Sequence, residues 1–187
     1  MSRSRSFYPR ISLVDELGAT AISDVQRQWL NAQGIGDAYI EGDWRSRHAP
    51  IMQAIVSTSA DGLWFEPDCH GCSAFIIPEI DQFDEVIDFL AWQPKSNSLA
   101  AWISILPLCG TGNLLRPRVD EGLLLHATFL GWLAAGRSGA FIRNVERAVP
   151  LLRDAGSLVF ESEDQAKATF EHSKLKTVSI KRIRRTA

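Results

Sequence analysis

The stretch "LLLHATFLGWLAAGRSGAFIRNVERAVPLLRDAGSLVFES", residues 123–162, decides the fold. Apolar runs alternate in it with segments of helical period, and the connections are short. LLLHAT (123–128) reads as a strand or the first turn of a helix. TFLGWLAAG (128–136) reads as a short helix closed by Gly136, and GAFIRN (139–144) as a strand. Asn144 suits the N-cap of a helix over VERAVPLLRDAG (145–156), ended by Gly156. Pro150 lies inside that helix, so a kink or a late start is expected. SLVFES (157–162) is again strand-like. Ser162 and Gln165 have capping-box spacing for a helix reaching about His172. TVSIKRI (177–183) alternates as a last edge strand does. Strands and helices in this rhythm predict βα units.

Upstream, the apolar runs are shorter. IMQAIVST (51–58), GLWFE (62–66) and AFIIPEI (74–80) are rich in Ile, Val, Phe and Trp and bounded by turn chemistry. VIDFLAW (86–92) fits helix or strand by period. Its β-branched and aromatic residues favour strand. AISDVQRQWLNAQ (21–33) reads as a helix with Ile22, Val25, Trp29 and Leu30 near one face, stopped by Gly34 and Gly36. The expected fold is a single α/β or α+β domain over residues 1–187. It has a mixed sheet from the middle strands, partly antiparallel, and βα units in the C-terminal third. Residues 1–20 form a weakly structured basic arm, and 174–187 a basic tail or edge strand.

Composition supports a folded, soluble chain: 187 residues, 45% hydrophobic and 22% charged. The most apolar stretch, 122–136, is too short to span a bilayer and is interrupted by His126 and Thr128. No apolar run follows the basic start as in a secretory signal, and three cysteines do not make a disulfide framework, so a cytoplasmic protein is expected. The net charge of −2 is unevenly spread. Arg3, Arg5 and Arg10 open the chain, and Lys174, Lys176, Lys181, Arg182, Arg184 and Arg185 close it, with no acid among either set. These nine cations leave −11 between them. Basic ends on an acidic body suit a nucleic acid or an acidic protein partner, or fold back onto the body.

"PDCHGC" (67–72) brings Cys69, His70 and Cys72 together. A structural zinc site needs four ligands. The others would come from Cys109, His48, His126 or His172, none at motif spacing. A redox pair wants its first cysteine at a helix N-terminus, whereas strand follows here. A turn bent at Gly71, with cysteines as small apolar groups, is the plainer reading. "CGTGN" (109–113) has two glycines of a phosphate cradle but not the third, with Arg116 and Arg118 beyond it. No G-x-S-x-G, Walker A or H-E-x-x-H motif occurs. Glu79, Asp81, Asp84, Glu85 and Asp88 form an acidic cluster that suits a divalent cation but is more often a solvated edge or turn. Of six tryptophans, Trp44 alone sits in a polar stretch, beside Arg45, Arg47 and His48, and so suits an anion or a base. With Lys181, Arg182, Arg184 and Arg185 it makes the candidate nucleic-acid surface. The same tail also reads as an edge strand guarded by cations.

At "VIDFLAWQP" and "LHATFLGWLAAGRSGAFIRN" the chain resembles an uncharacterised group of bacterial, often prophage-associated proteins. The resemblance covers the second half and includes no catalytic motif. It implies a mobile-element or accessory role. The functional expectation is a non-enzymatic binding or accessory protein that touches nucleic acid through its basic ends. The alternative is a small metal-binding or thiol-dependent enzyme built on Cys69, His70 and Cys72.

Overall fold

In the computed structural model, which describes residues 14–44, 49–103, 106–114, 122–173 and 181–182, the middle strands build an antiparallel sheet of their own. It comprises β1 (Thr20–Ala21), β2 (Met52–Thr58), β3 (Phe65–Pro67), β4 (Cys72–Ile80), β5 (Val86–Gln93) and β6 (Ser98–Ala101). The order is β1-β2-β4-β5-β6, with β3 also on β2. The sheet curls until its far side meets β3: Ala101 N–H donates to the Leu63 carbonyl at 2.9 Å, and Trp64 bridges Ala101. Curling protects edges that an open sheet would expose. Period-two alternation then gives two apolar faces. Met52, Ala54, Val56, Phe65, Ala74, Ile76, Phe89 and Ala91 fill the inside, joined by Leu17. Phe75, Ile77, Leu90 and Trp92 face outward into a second core.

The C-terminal third forms the mixed sheet with its βα units. It contains β7 (Leu108–Cys109), β8 (Leu123–His126), β9 (Ala140–Ile142), β10 (Leu158–Phe160) and β11 (Lys181–Arg182), in the order β11-β10-β8-β9-β7. Only β7 runs antiparallel to its neighbour. The first helices are α1 (Asp24–Ala32) and α2 (Asp37–Ile40), and the βα connections are α3 (Phe129–Ala134), α4 (Val145–Asp154) and α5 (Glu163–Ser173). The chain steps from β8 to β9, then back past β8 to β10. With right-handed crossovers this reversal puts α3 on one face and α4 and α5 on the other. The cores agree. Phe129, Trp132 and Leu133 of α3 pack on the outer wall of the curled sheet, while Ala148, Leu152 and Ala166 cover the opposite face.

The caps explain most boundaries. Ser23 and Gln26 form a complete capping box, so α1 starts at Asp24 and the two residues at 20–21 are released to pair with β2. Thr128 and Asn144 cap α3 and α4 through Gly131 N–H and Arg147 N–H. Of the kink or late start expected from Pro150, the late start does not occur: helix α4 begins at Val145 and runs on past Pro150 to Asp154. Gln165 N–H donates to Ser162 Oγ at 3.1 Å, yet Gln165 Oε1 takes the Glu161 N–H, one residue short of a full box. On α1, Leu30 is buried, but Val25, expected near the same face, is exposed. The strand reading of 86–92 holds. Segments β6 and β7, too short for alternation to reveal, add to the strands expected. The arm expected over 1–20 enters the described residues at Val14, and Leu17 there is buried. No helix among the described residues is long and apolar enough to cross a membrane.

Candidate functional site

Glu79 lies near the end of β4, at inward parity toward the second sheet, and is 1% exposed. Its cross-strand partner on β5 is Asp88, which is fully buried. The acidic cluster therefore divides: Glu79 and Asp88 point into the protein, whereas a solvated edge was expected. Asp88 is anchored by backbone, its Oδ1 accepting from Phe89 N–H (2.7 Å) and Ile103 N–H (2.9 Å).

Glu79 is held by the glycine-rich loop. Its Oε1 accepts from Gly110 N–H (2.7 Å), Thr111 N–H (3.0 Å) and Thr111 Oγ1 (3.0 Å). "CGTGN" is thus an anion cradle, but the anion is the chain's own carboxylate. Both glycines are required by close approach. A Cβ on Gly110 would lie 2.4 Å from the Gly139 carbonyl oxygen, and Gly110 also has φ 82°. One on Gly112 would lie 2.5 Å from the Asp81 oxygen.

The second oxygen, Glu79 Oε2, has no hydrogen-bond partner among the described residues. The same holds for Trp132 Nε1 and for all three guanidinium nitrogens of Arg137, a residue only 6% exposed. These side chains, with Pro78, Ile80, Asp81, Gly110, Gly112 and Asn113, line a partly open cavity of about 30 Å³, room for roughly two waters. Burial pushes Glu79 up to about 7, against the opposing pull of the Thr111 and Gly110 hydrogen bonds and of Arg137. Burial also lowers Arg137 to about 10, so it stays charged at neutral pH.

Arg137 is set in place by its loop. Gly136 (φ 66°) ends α3 in a Schellman turn, with Gly136 N–H on the Leu133 carbonyl and Arg137 N–H on that of Trp132. Arg137 itself has φ 59°, a conformation that costs a residue with a Cβ. Three consecutive carbonyls hold it there. Asn113 Nδ2 donates to those of Arg137 (2.9 Å) and Gly139 (2.7 Å), and His126 Nε2 to that of Ser138 (2.8 Å). The other ring nitrogen, His126 Nδ1, is 2.9 Å from Glu161 Oε1, and Glu161 Oε2 takes the Ala127 N–H. This carboxylate–histidine pair sits at the C-terminal ends of β8 and β10. A carbonyl only accepts, so Nε2 carries its proton and is spent on Ser138. Both ring nitrogens are thus engaged, Nε2 by the Ser138 carbonyl and Nδ1 by Glu161.

The sequence-derived candidates fall elsewhere. The stretch 68–71 leaves β3, crosses over β2 and enters β4. A Cβ on Gly71 would lie 2.2 Å from the Val56 carbonyl oxygen. Asp68 fixes the turn, accepting from Ser57 Oγ and, at 2.9 Å, from His70 N–H. Cys69, His70 and Cys72 are exposed there, Cys109 is buried in the second core, and none of the three cysteines is in a disulfide. Burial, with Glu79 next in effect, pushes the Cys109 thiol well up, the wrong direction for a nucleophile. Among the described residues no group of three or more His, Cys, Asp or Glu gathers as metal ligands do. Trp44 is half-buried, its ring edge-on to Phe89 at 6.5 Å. Lys181 and Arg182 form the edge strand β11 beside β10. Arg45, Arg47, His48, Arg116, Arg118, Arg184 and Arg185 lie outside the described residues. Glu79, Trp132 and Arg137 were not singled out from sequence as one site. The available signal was an acid at inward parity in each of two apolar strands. No protein-family model matches the chain, and no curated protein matches it significantly.

Proposed function

We propose that this chain is a non-enzymatic binding protein whose recognition pocket is the cavity bordered by Glu79, Trp132 and Arg137. The observation that carries this reading is a pair of opposite charges, both buried, neither of which satisfies the other. A buried guanidinium without hydrogen bonds and a buried carboxyl oxygen without one are costly, and a polar ligand group inserted between them would satisfy both. A catalytic reading finds less support. Among the described residues the buried histidine, His126, is committed to a carbonyl and a carboxylate, and the buried thiol is held protonated. The test is a screen of small polar molecules by thermal shift on the full chain. Stabilisation by at least one, lost in Arg137→Gln, is expected. A flat response from charged and neutral compounds alike refutes the pocket.

A second reading places a nucleic acid or an acidic partner on the basic ends. The nine cations flanking a −11 body support it, as does the position of Lys181–Arg182 on a sheet edge. It expects binding to DNA or RNA that weakens steeply with salt and is lost on truncation after Ser173. Absence of salt-dependent binding by the intact chain ends it. Together with the resemblance to prophage-associated proteins, both readings favour an accessory role in the cytoplasm. A zinc role for Cys69, His70 and Cys72 draws support from their spacing alone.

A further inference from the structure

We infer that the pocket takes the carboxylate of a small organic acid, and that Glu79 presents its proton to that carboxylate. The inference rests on the pocket reading above and adds the ligand class. The pocket's free polar atoms are unequal in kind. Arg137 offers five N–H donors in a planar fork and Trp132 a sixth, against one oxygen on Glu79. An acceptor-rich group is what such a wall lacks. The fork matches the two oxygens of a carboxylate. The cavity, at about 30 Å³, fits two such oxygens and is small for the four of a phosphate. The remaining oxygen, Glu79 Oε2, faces the same space. Beside a bound anion it is tolerable only as a hydroxyl, donating its hydrogen to the ligand. Its partner Oε1 is already saturated by the Gly110–Thr111 cradle, so the proton resides on Oε2.

The donors turn almost no surface to solvent. A carboxylate therefore enters with a shift of the Arg137 side chain, which none of its own nitrogens restrains. The backbone beneath it stays fixed, because the carbonyls of Arg137, Ser138 and Gly139 are all engaged. Cavity size limits the reach to the carboxyl group and little more, with the rest of the acid lying toward the mouth.

The experiment is a titration of the ¹⁵N-labelled full chain with sodium formate, sodium acetate, sodium phosphate and acetamide at constant ionic strength. The Trp132 indole N–H resonance is the reporter, assigned by its loss in Trp132→Phe. Formate and acetate are expected to shift it with a Kd on the order of 1 mM. The affinity should be about tenfold weaker at pH 8 than at pH 6, as Glu79 loses the shared proton. Glu79→Gln should retain binding with that pH dependence gone, and Arg137→Gln should lose at least tenfold. If Arg137→Gln does not fold, the pH comparison on the natural sequence and on Glu79→Gln decides. Acetamide or phosphate binding more tightly than the carboxylates would overturn the ligand class and leave the pocket standing. No shift with any of the four would overturn both.

Discussion

Glu79→Gln changes one atom in a buried carboxylate of the site, and the structure fixes the sign of its effect. In the unfolded chain Glu79 titrates near 4.5, and in the folded protein burial holds it at about 7. The folded state therefore binds this proton more tightly. The resulting stabilisation is fully present below pH 4.5 and is lost as pH rises through 7. The gap corresponds to about 3 kcal/mol, most of it falling between pH 5 and pH 8. For a chain of this size that is roughly 6–12 °C in Tm. Glutamine keeps an oxygen for the Gly110 and Thr111 N–H groups but cannot ionise, so the variant lacks this slope. Asp61 and Asp68 do not confuse the window, since hydrogen bonds from Ser59 and Ser57 hold both below the usual carboxylate range. Other titrating groups are common to both proteins and cancel in the difference. The assay is thermal or urea unfolding of both proteins from pH 5 to pH 8. The variant should gain on the natural sequence steadily as pH rises. Parallel profiles would show that Glu79 titrates as an ordinary carboxylate and that its burial carries no charge penalty.

Three further outcomes follow from the same geometry. Gly110→Ala forces a Cβ at φ 82° against the Gly139 carbonyl and should cost about 1–3 kcal/mol in urea unfolding; a neutral result would mean the loop is not held as described. His126→Leu strips the Ser138 carbonyl and Glu161 Oε1 of their partner and should cost about 2–3 kcal/mol, with the Trp132 indole resonance displaced as the Arg137 loop relaxes. A change confined to β8 would separate His126 from the site. The double change Cys69→Ser, Cys72→Ser touches two exposed side chains and should leave stability within about 0.5 kcal/mol. A larger loss accompanied by loss of bound zinc would instead establish a metal centre.

Much of the architecture was legible because its signals are local. Asn144, Gly136 and Gly34 act within one helical turn, so the helix ends they fix can be read from a few neighbours; the Ser23 cap works at the same range, but the helix expected from residue 21 starts three residues early. The βα units of the C-terminal sheet followed from the strand–helix rhythm of residues 123–162, whereas the mixed sheet had been expected of the middle strands. Closure of the first sheet was not legible, because it depends on Ala101 meeting Leu63 across several strands. The site was visible only in fragments. The sequence offered "CGTGN" as a possible anion loop and Glu79 and Asp88 as acids in a cluster, but it could not tell that the first would cradle the second group's glutamate. Parity was the unused clue: Phe75, Ile77 and Glu79 share one face of β4, so an inward acid was already implied by its neighbours.

The sequence by itself determined the longer helices, the longer strands, the turns demanding glycine and the uneven charge, because each depends on the intrinsic preferences of residues close along the chain. The tertiary structure alone decided that Glu79, the Gly110–Thr111 amides, Trp132 and Arg137 converge. They come from β4, the loop after β7, α3 and the turn behind it, segments without local interactions to each other. Packing α3 between the two sheets brings them into one poorly solvated space. There an ordinary carboxylate and an ordinary guanidinium acquire the shifted properties on which the proposed function depends.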